Sequence, residues 1–181
     1  MNLILLILLL TPNTVTVRIT GTTICKPGQS YTTEIVDFQE YVKDVLPNEW
    51  GRDWPEESLK AGAVAVKQFA IYEYRAQGYL WDCNYDQVYR TGWRTEATDR
   101  AIEDSWNTWV PGVGRTYFNA WMNGCRFQGE NCMGQWKSKE IAERGWNFEE
   151  ILLMFYEGEI YTLHFSRLDW NLEYSLLTGG K

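Results

Sequence analysis

The sequence predicts an α+β fold: a single domain with a buried central helix, several short helices and short antiparallel strands. Three observations predict it. Helical and strand periodicities alternate irregularly, with no βαβ series. Residues 61–66 are apolar all round, as a helix buried on every side must be. A hydrophobic content of 45% over 181 residues is enough for a real core and argues against disorder.

Each element has its own signal. Thr14 to Thr20 alternates Val15, Val17 and Ile19 with polar residues, the period of a half-buried strand. Lys26-Pro27-Gly28 is a turn. Asp37 and Glu40 form a candidate capping box, and Phe38, Tyr41, Val42, Val45 and Leu46 recur behind it at helical spacing. Pro47 should end that helix, which places Glu49 on the loop just past its C-terminus. Pro55 suits the first turn of the central helix. That helix runs to about Gln77, with Gly78 as its C-cap and Leu59, Ala63, Val66, Ala70 and Tyr74 on one face. Trp81 to Gly92 reads as loop and short strand. Thr95 to Asn107 is helical, with Thr98, Ala101, Ile102 and Ser105 or Trp106 facing inward. Trp109-Val110, a Pro-Gly-Val-Gly turn and Thr116 to Met122 suggest a hairpin. Lys137 to Arg144 is a short helix stopped by Gly145, and Asn147 with Glu150 caps another over Phe148 to Tyr156. The tail from Tyr161 to Lys181 alternates loosely and should pack on the domain as a terminal strand.

Composition narrows the function. The formal net charge is −7, which argues against a nucleic-acid partner and against docking on anionic lipid. A neutral or zwitterionic polymer such as a glycan is not excluded. Ten Trp and eleven Tyr supply flat faces that suit sugar rings as well as cores. Four cysteines, Cys25, Cys83, Cys125 and Cys132, include no CxxC pair, so a structural zinc site has little support. An even count allows two disulfides, with Cys125–Cys132 closing a small loop and Cys25–Cys83 remaining; four reduced, buried thiols are the other arrangement. The apolar run Met1 to Leu10 is too short to span a bilayer but has the length of a signal-peptide core, so residues 1–12 are a candidate export segment. An extracytoplasmic location follows as an expectation.

Glu49 is the residue most worth examining. It lies between Pro47 and Pro55 and among Trp50 and Trp54, directly before a helix of small residues. A carboxyl group in such apolar surroundings holds its proton to higher pH and can act as a general acid.

The ordered segments resemble the stage II sporulation protein D family, which includes related amidase-enhancer proteins. The resemblance runs from Asp37 to Ile160 within a domain of residues 13–160. It rests on Asp37-Phe38-Gln39-Glu40-Tyr41-Val42, then Val45-Leu46-Pro47-Asn48-Glu49-Trp50, then Ser58 to Ala70. Asp86-Gln87-Val88-Tyr89, the helix Ala101 to Thr108, Met133-Gly134-Gln135-Trp136, Ile141 to Gly145 and Phe148 to Tyr156 follow in order. Active members are lytic transglycosylases that cut peptidoglycan glycan strands. The resemblance implies that Glu49 is the catalytic acid, then the base, giving 1,6-anhydro sugar ends. It implies that Lys67, Gln87, Tyr89 and Gln135 contact substrate, and it calls for no cofactor. A cell-wall amidase is a further implied partner.

Several positions depart from the family pattern. Lys67 stands where an arginine is usual, Gly62 replaces a glutamine and Phe69 a tyrosine. A glycine-rich stretch with histidine and serine is replaced by Ala120 to Cys132. Some relatives bind zinc through a cysteine and a histidine; Cys83 lies near that place but His164, the only histidine, is far along the chain, so no metal is expected. The alternative reading is therefore a non-catalytic glycan-binding module that enhances a cell-wall amidase.

Overall fold

The computed structural model describes residues 11–125, 131–156 and 160–162. Residues 1–10 of the expected export segment and 163–181 of the expected terminal strand lie outside the described residues. The architecture is α+β, as expected.

Strand β1 (Thr14–Ile19) is the centre of a three-stranded sheet. It pairs antiparallel with β2 (Thr32–Asp37), Val15 opposite Val36, and parallel with β3 (Leu80–Trp81), Val17 opposite Leu80. Val15 and Val17 point to the core, as the two-residue period requires. Strand β2 carries no such signal because most of its residues face outward.

Asp37 caps helix α1 (Phe38–Glu49) by accepting from the Gln39 and Glu40 N–H groups at 2.9 and 3.1 Å. Only half of the expected capping box forms. The Glu40 carboxylate instead joins Arg94, which also grips Asp44. Pro47 lies inside the last turn rather than ending the helix before it, so Glu49 is the final helical residue and not a loop residue. Two hydrogen bonds hold this turn together despite the missing proline N–H. Trp50 N–H donates to Leu46 O at 2.8 Å, and the Asn48 side-chain amide donates to Asp44 O at 2.6 Å.

Helix α2 (Glu56–Gln77) is the buried centre, capped by Pro55 one position earlier than expected and closed by Gly78 at φ 79°. It packs against α1, α3 (Glu96–Ser105), α5 (Gln135–Glu143) and α6 (Phe148–Phe155). Reciprocal capping boxes start α3 (Thr95 with Thr98) and α6 (Asn147 with Glu150). Among the described residues no helix is long and apolar enough to cross a membrane.

The expected hairpin over 109–122 does not form. Strand β4 (Thr108–Trp109) pairs antiparallel with β7 (Tyr161–Thr162), and β5 (Tyr117–Asn119) pairs parallel with β6 (Cys132–Gly134). The expectation of antiparallel strands is thus corrected for two of the pairings. The cause lies in α2, whose polar side chains and backbone hold the intervening turn. Gln68 exchanges two bonds with the Val110 backbone, at 2.7 and 3.2 Å. Thr116 Oγ1 donates to Ala65 O at 2.8 Å. These ties keep the two ends of the turn on the helix and away from each other. The short helix α4 (Met122–Cys125) follows β5. Of the arrangements the sequence left open, the structure has the disulfides Cys25–Cys83 and Cys125–Cys132.

Candidate active site

Helix α1 delivers Glu49 to a cleft of about 420 Å³. Its walls include Asn84, Tyr85, Asp86 and Val88 on one side and Phe69, Arg115, Tyr117, Asn119 and Gln135 on the other. The carboxylate is half-buried and oriented. Val88 N–H donates to Oε1 at 2.6 Å. The Gln135 amide donates to Glu49 O at 2.7 Å and lies 3.5 Å from Oε2. Burial pushes the Glu49 carboxyl above its ordinary range, and the bonds from Val88 and Gln135 only partly oppose it. Position reinforces the effect, because the C-terminal end of a helix disfavours an anion. Oε1 is fixed by the backbone, while Oε2 has only the longer contact to Gln135.

Of the four side chains expected to touch substrate, only Gln135 lines this cleft. Lys67 is almost fully buried. Its ammonium donates to Thr108 O at 2.7 Å and to Trp106 O, and it lies 4.5 Å from the centre of the Trp109 ring. Lys67 thus fastens the chain leaving α3 to α2 and does not reach the cleft. Gln87 donates to Val66 O at 3.2 Å and accepts from Tyr41 at 3.3 Å. Tyr89 stacks on Tyr41 with ring centres 5.3 Å apart. Along residues 86–89 alternate side chains go different ways: Gln87 and Tyr89 are buried in the core, while Asp86 and Val88 line the cleft.

Asp86 is therefore a second cleft carboxylate, which the sequence reading left without a role. Its Oδ2 accepts from Trp81 N–H at 2.7 Å and from the Gln77 amide at 2.9 Å, and burial raises its pKa. Arg115 pairs with Glu73, donates to the Tyr117 hydroxyl at 2.6 Å, and lies over the Phe69 ring. No sequence signal marked Arg115, because only the turn tied to α2 brings it to the cleft.

The disulfide settles where Cys83 goes. Its sulfur is bonded to Cys25, beside Asp82. Asp82 is itself saturated by Thr20 at 2.6 Å, Gly21 N–H at 2.9 Å and Arg90 at 2.9 Å. This cluster is a structural staple under the cleft wall.

Residues 27–110 match the family model described as SpoIID, Stage II sporulation protein. Over these residues the chain is similar to the stage II sporulation protein D family. The SpoIID segment contains Glu49, Val88 and Asp86 but stops short of Arg115 and Gln135. The expected resemblance continued to Ile160, so one wall of the cleft lies beyond the matched residues. An uncharacterised protein of Brachyspira hyodysenteriae is 34% identical over 109 residues, covering 55% of this chain. The chain spans 29% of that relative's length. The SpoIID match over residues 27–110 supports a cell-wall-related role in sporulation.

Proposed function

We propose that this protein is a peptidoglycan-cleaving lytic transglycosylase, with Glu49 first as general acid and then as base. The observation that carries the reading is the oriented Glu49 carboxyl group, proton-holding through burial, at the end of α1 in an open cleft, while the cleft's other carboxyl group, Asp86, is engaged through Oδ2 by Trp81 and Gln77. Protonated Oε2 donates to the glycosidic oxygen as the bond to the anomeric carbon breaks. The carboxylate so formed takes the proton of the sugar's own 6-hydroxyl, whose oxygen closes on the anomeric carbon. The product is a 1,6-anhydro sugar, no water is consumed, and the enzyme returns to its acid form. One carboxyl suffices for this cycle, whereas hydrolysis with water needs two. Val88 N–H holds the group in place through both protonation states. Glycan strands of the cell wall are the substrate, and an extracytoplasmic location fits two disulfides.

The test compares the native protein with Glu49→Gln on peptidoglycan, with and without stem peptides, by mass spectrometry of released products. Anhydro-muropeptides from the native protein alone support the reading. Reducing ends instead would point to hydrolysis with Asp86 as the second carboxyl group. The second reading, a glycan-binding module that enhances a cell-wall amidase, is favoured by the exposed tryptophans beside the cleft. Retention on the glycan by both proteins, with no product from either, would select it.

A further inference from the structure

Two exposed indoles stand beside the cleft with no core function to explain them. Trp121 is 62% exposed and Trp136 is 44% exposed. Their rings stack at 5.6 Å with an interplanar angle of 14°, and Trp54 packs on Trp136 at 4.8 Å. Each is the direct sequence neighbour of a residue that lines the Glu49 cleft, Ala120 and Gln135. Trp136 N–H donates to Ala120 O at 3.2 Å, so the two strips are joined by backbone. Trp121, Met122 and Trp136 border a hollow of about 250 Å³ whose polar rim is Lys137 and Glu140, an ion pair at 2.9 Å. Beneath it, the packing is close: a Cβ on Gly134 would meet Met122 Sδ at 2.6 Å. Cys125–Cys132 ties α4 to β6 and so holds Trp121 against Trp136.

We propose that Trp121 and Trp136 form a stacking subsite for one pyranose ring of the glycan strand, next to the ring that is cut. A sugar's axial C–H face is apolar and its rim is polar, which matches an indole face edged by Lys137 and Glu140. A protein-docking patch would need a broader apolar surface than two indoles and a methionine. Both indoles adjoin cleft-lining residues along the chain, so a strand bound across Glu49 would have them as its next neighbours. The inference rests on the glycan reading of the cleft, but not on Glu49 being catalytic.

The experiment titrates chitotetraose into the full chain, followed by saturation-transfer NMR and tryptophan fluorescence. Trp121→Ala and Trp136→Ala should bind about ten-fold more weakly. Trp121→Tyr, which keeps a flat ring, should recover most of the affinity, and Trp93→Ala, an exposed indole that lines neither the cleft nor the hollow, should bind as the native protein does. Native affinity in Trp121→Ala, confirmed as folded by circular dichroism, overturns the subsite, as does an absence of chitotetraose binding by the native protein. Activity separates the two readings. Anhydro products lost in Glu49→Gln but unchanged in KM by Trp121→Ala sink the subsite alone. Tryptophan-dependent binding with no product from the native protein sinks the transglycosylase alone.

Discussion

At the residue scale, Glu49 ties both stability and activity to pH, and in the same direction. Its pKa in the folded protein lies above the ordinary 4.5, because burial disfavours the carboxylate. The native state therefore keeps a proton that the unfolded chain releases, and stability falls as pH rises through that interval. The penalty is absent below pH 4.5 and complete above the raised value. Glu49→Gln keeps an oxygen for Val88 N–H but cannot ionise. Its melting temperature should equal or exceed that of the native protein at neutral pH, with the gap narrowing in acid. Thermal melts across pH check this, and a variant less stable at pH 7 would contradict it. Activity should fall as pH rises through the same interval, since the acid form starts the cycle. Asp86→Asn should retain anhydro-sugar release, because its Oδ2 is engaged by Trp81 and Gln77; loss of that product would give Asp86 a chemical role. Glu49 was legible in the sequence from its apolar, aromatic neighbours and motif position. Lys67, Gln87 and Tyr89 were drawn to the site by motif alone, although their side chains turn into the core.

At the element scale, helix α2 explains both what the sequence predicted and what it concealed. Its apolar run marked it as central, and it is. Lys67 was read as a substrate contact, yet it and Gln68 hold the chain between α3 and β5. A turn with hairpin residues therefore leads to strands that never pair with each other. Long-range side-chain ties of this kind leave no periodicity to read. Lys67→Met would strip the donor from two buried carbonyls and should destabilise the fold by about 2 kcal/mol or more. Burial also lowers the Lys67 pKa from 10.5 to about 7. Between those values the unfolded chain binds the extra proton, so native stability should rise with pH over this window relative to Lys67→Met. Urea melts of both proteins at several pH values test the slope. Gly62 has a different reason to be small. A Cβ there would meet the Trp50 ring at 2.6 Å, and that indole also donates to Ser138 at 3.3 Å. The residue after Glu49 thus locks α1 against α2. Gly62→Ala should cost about 1–3 kcal/mol and disturb the Glu49 position. Loss of stability without a fall in activity would separate the lock from the site.

At the scale of the whole molecule, the two disulfides stand on opposite flanks of one cleft. Cys25–Cys83 fastens the segment after β1 to the wall that carries Asn84, Asp86 and Val88. Backbone bonds follow the same seam: Asn84 N–H donates to Thr23 O at 3.0 Å, and Cys25 N–H donates to Asn84 Oδ1 at 2.8 Å. Cys125–Cys132 fastens the other flank, with Trp121 and β6. Pairing was only one option in the sequence, because cysteine count cannot distinguish bridges from buried thiols; the fold brings each pair together. The first bridge constrains a loop of 58 residues, so its removal should cost about 2–5 kcal/mol. A Cys25→Ala, Cys83→Ala variant should therefore unfold at lower urea and lose activity, since the Val88 N–H that orients Glu49 sits on the loosened wall. A Cys125→Ala, Cys132→Ala variant should instead weaken glycan binding with a smaller stability loss, because its loop spans 7 residues. Equal losses of both properties in both variants would refute this division of labour. The same bridges give location a direct reading. Alkylation of free thiols in intact cells before lysis should leave all four cysteines unmodified if the protein matures in an oxidising compartment. Rapid labelling of all four would place it in a reducing one and remove the main support for an extracytoplasmic site of action.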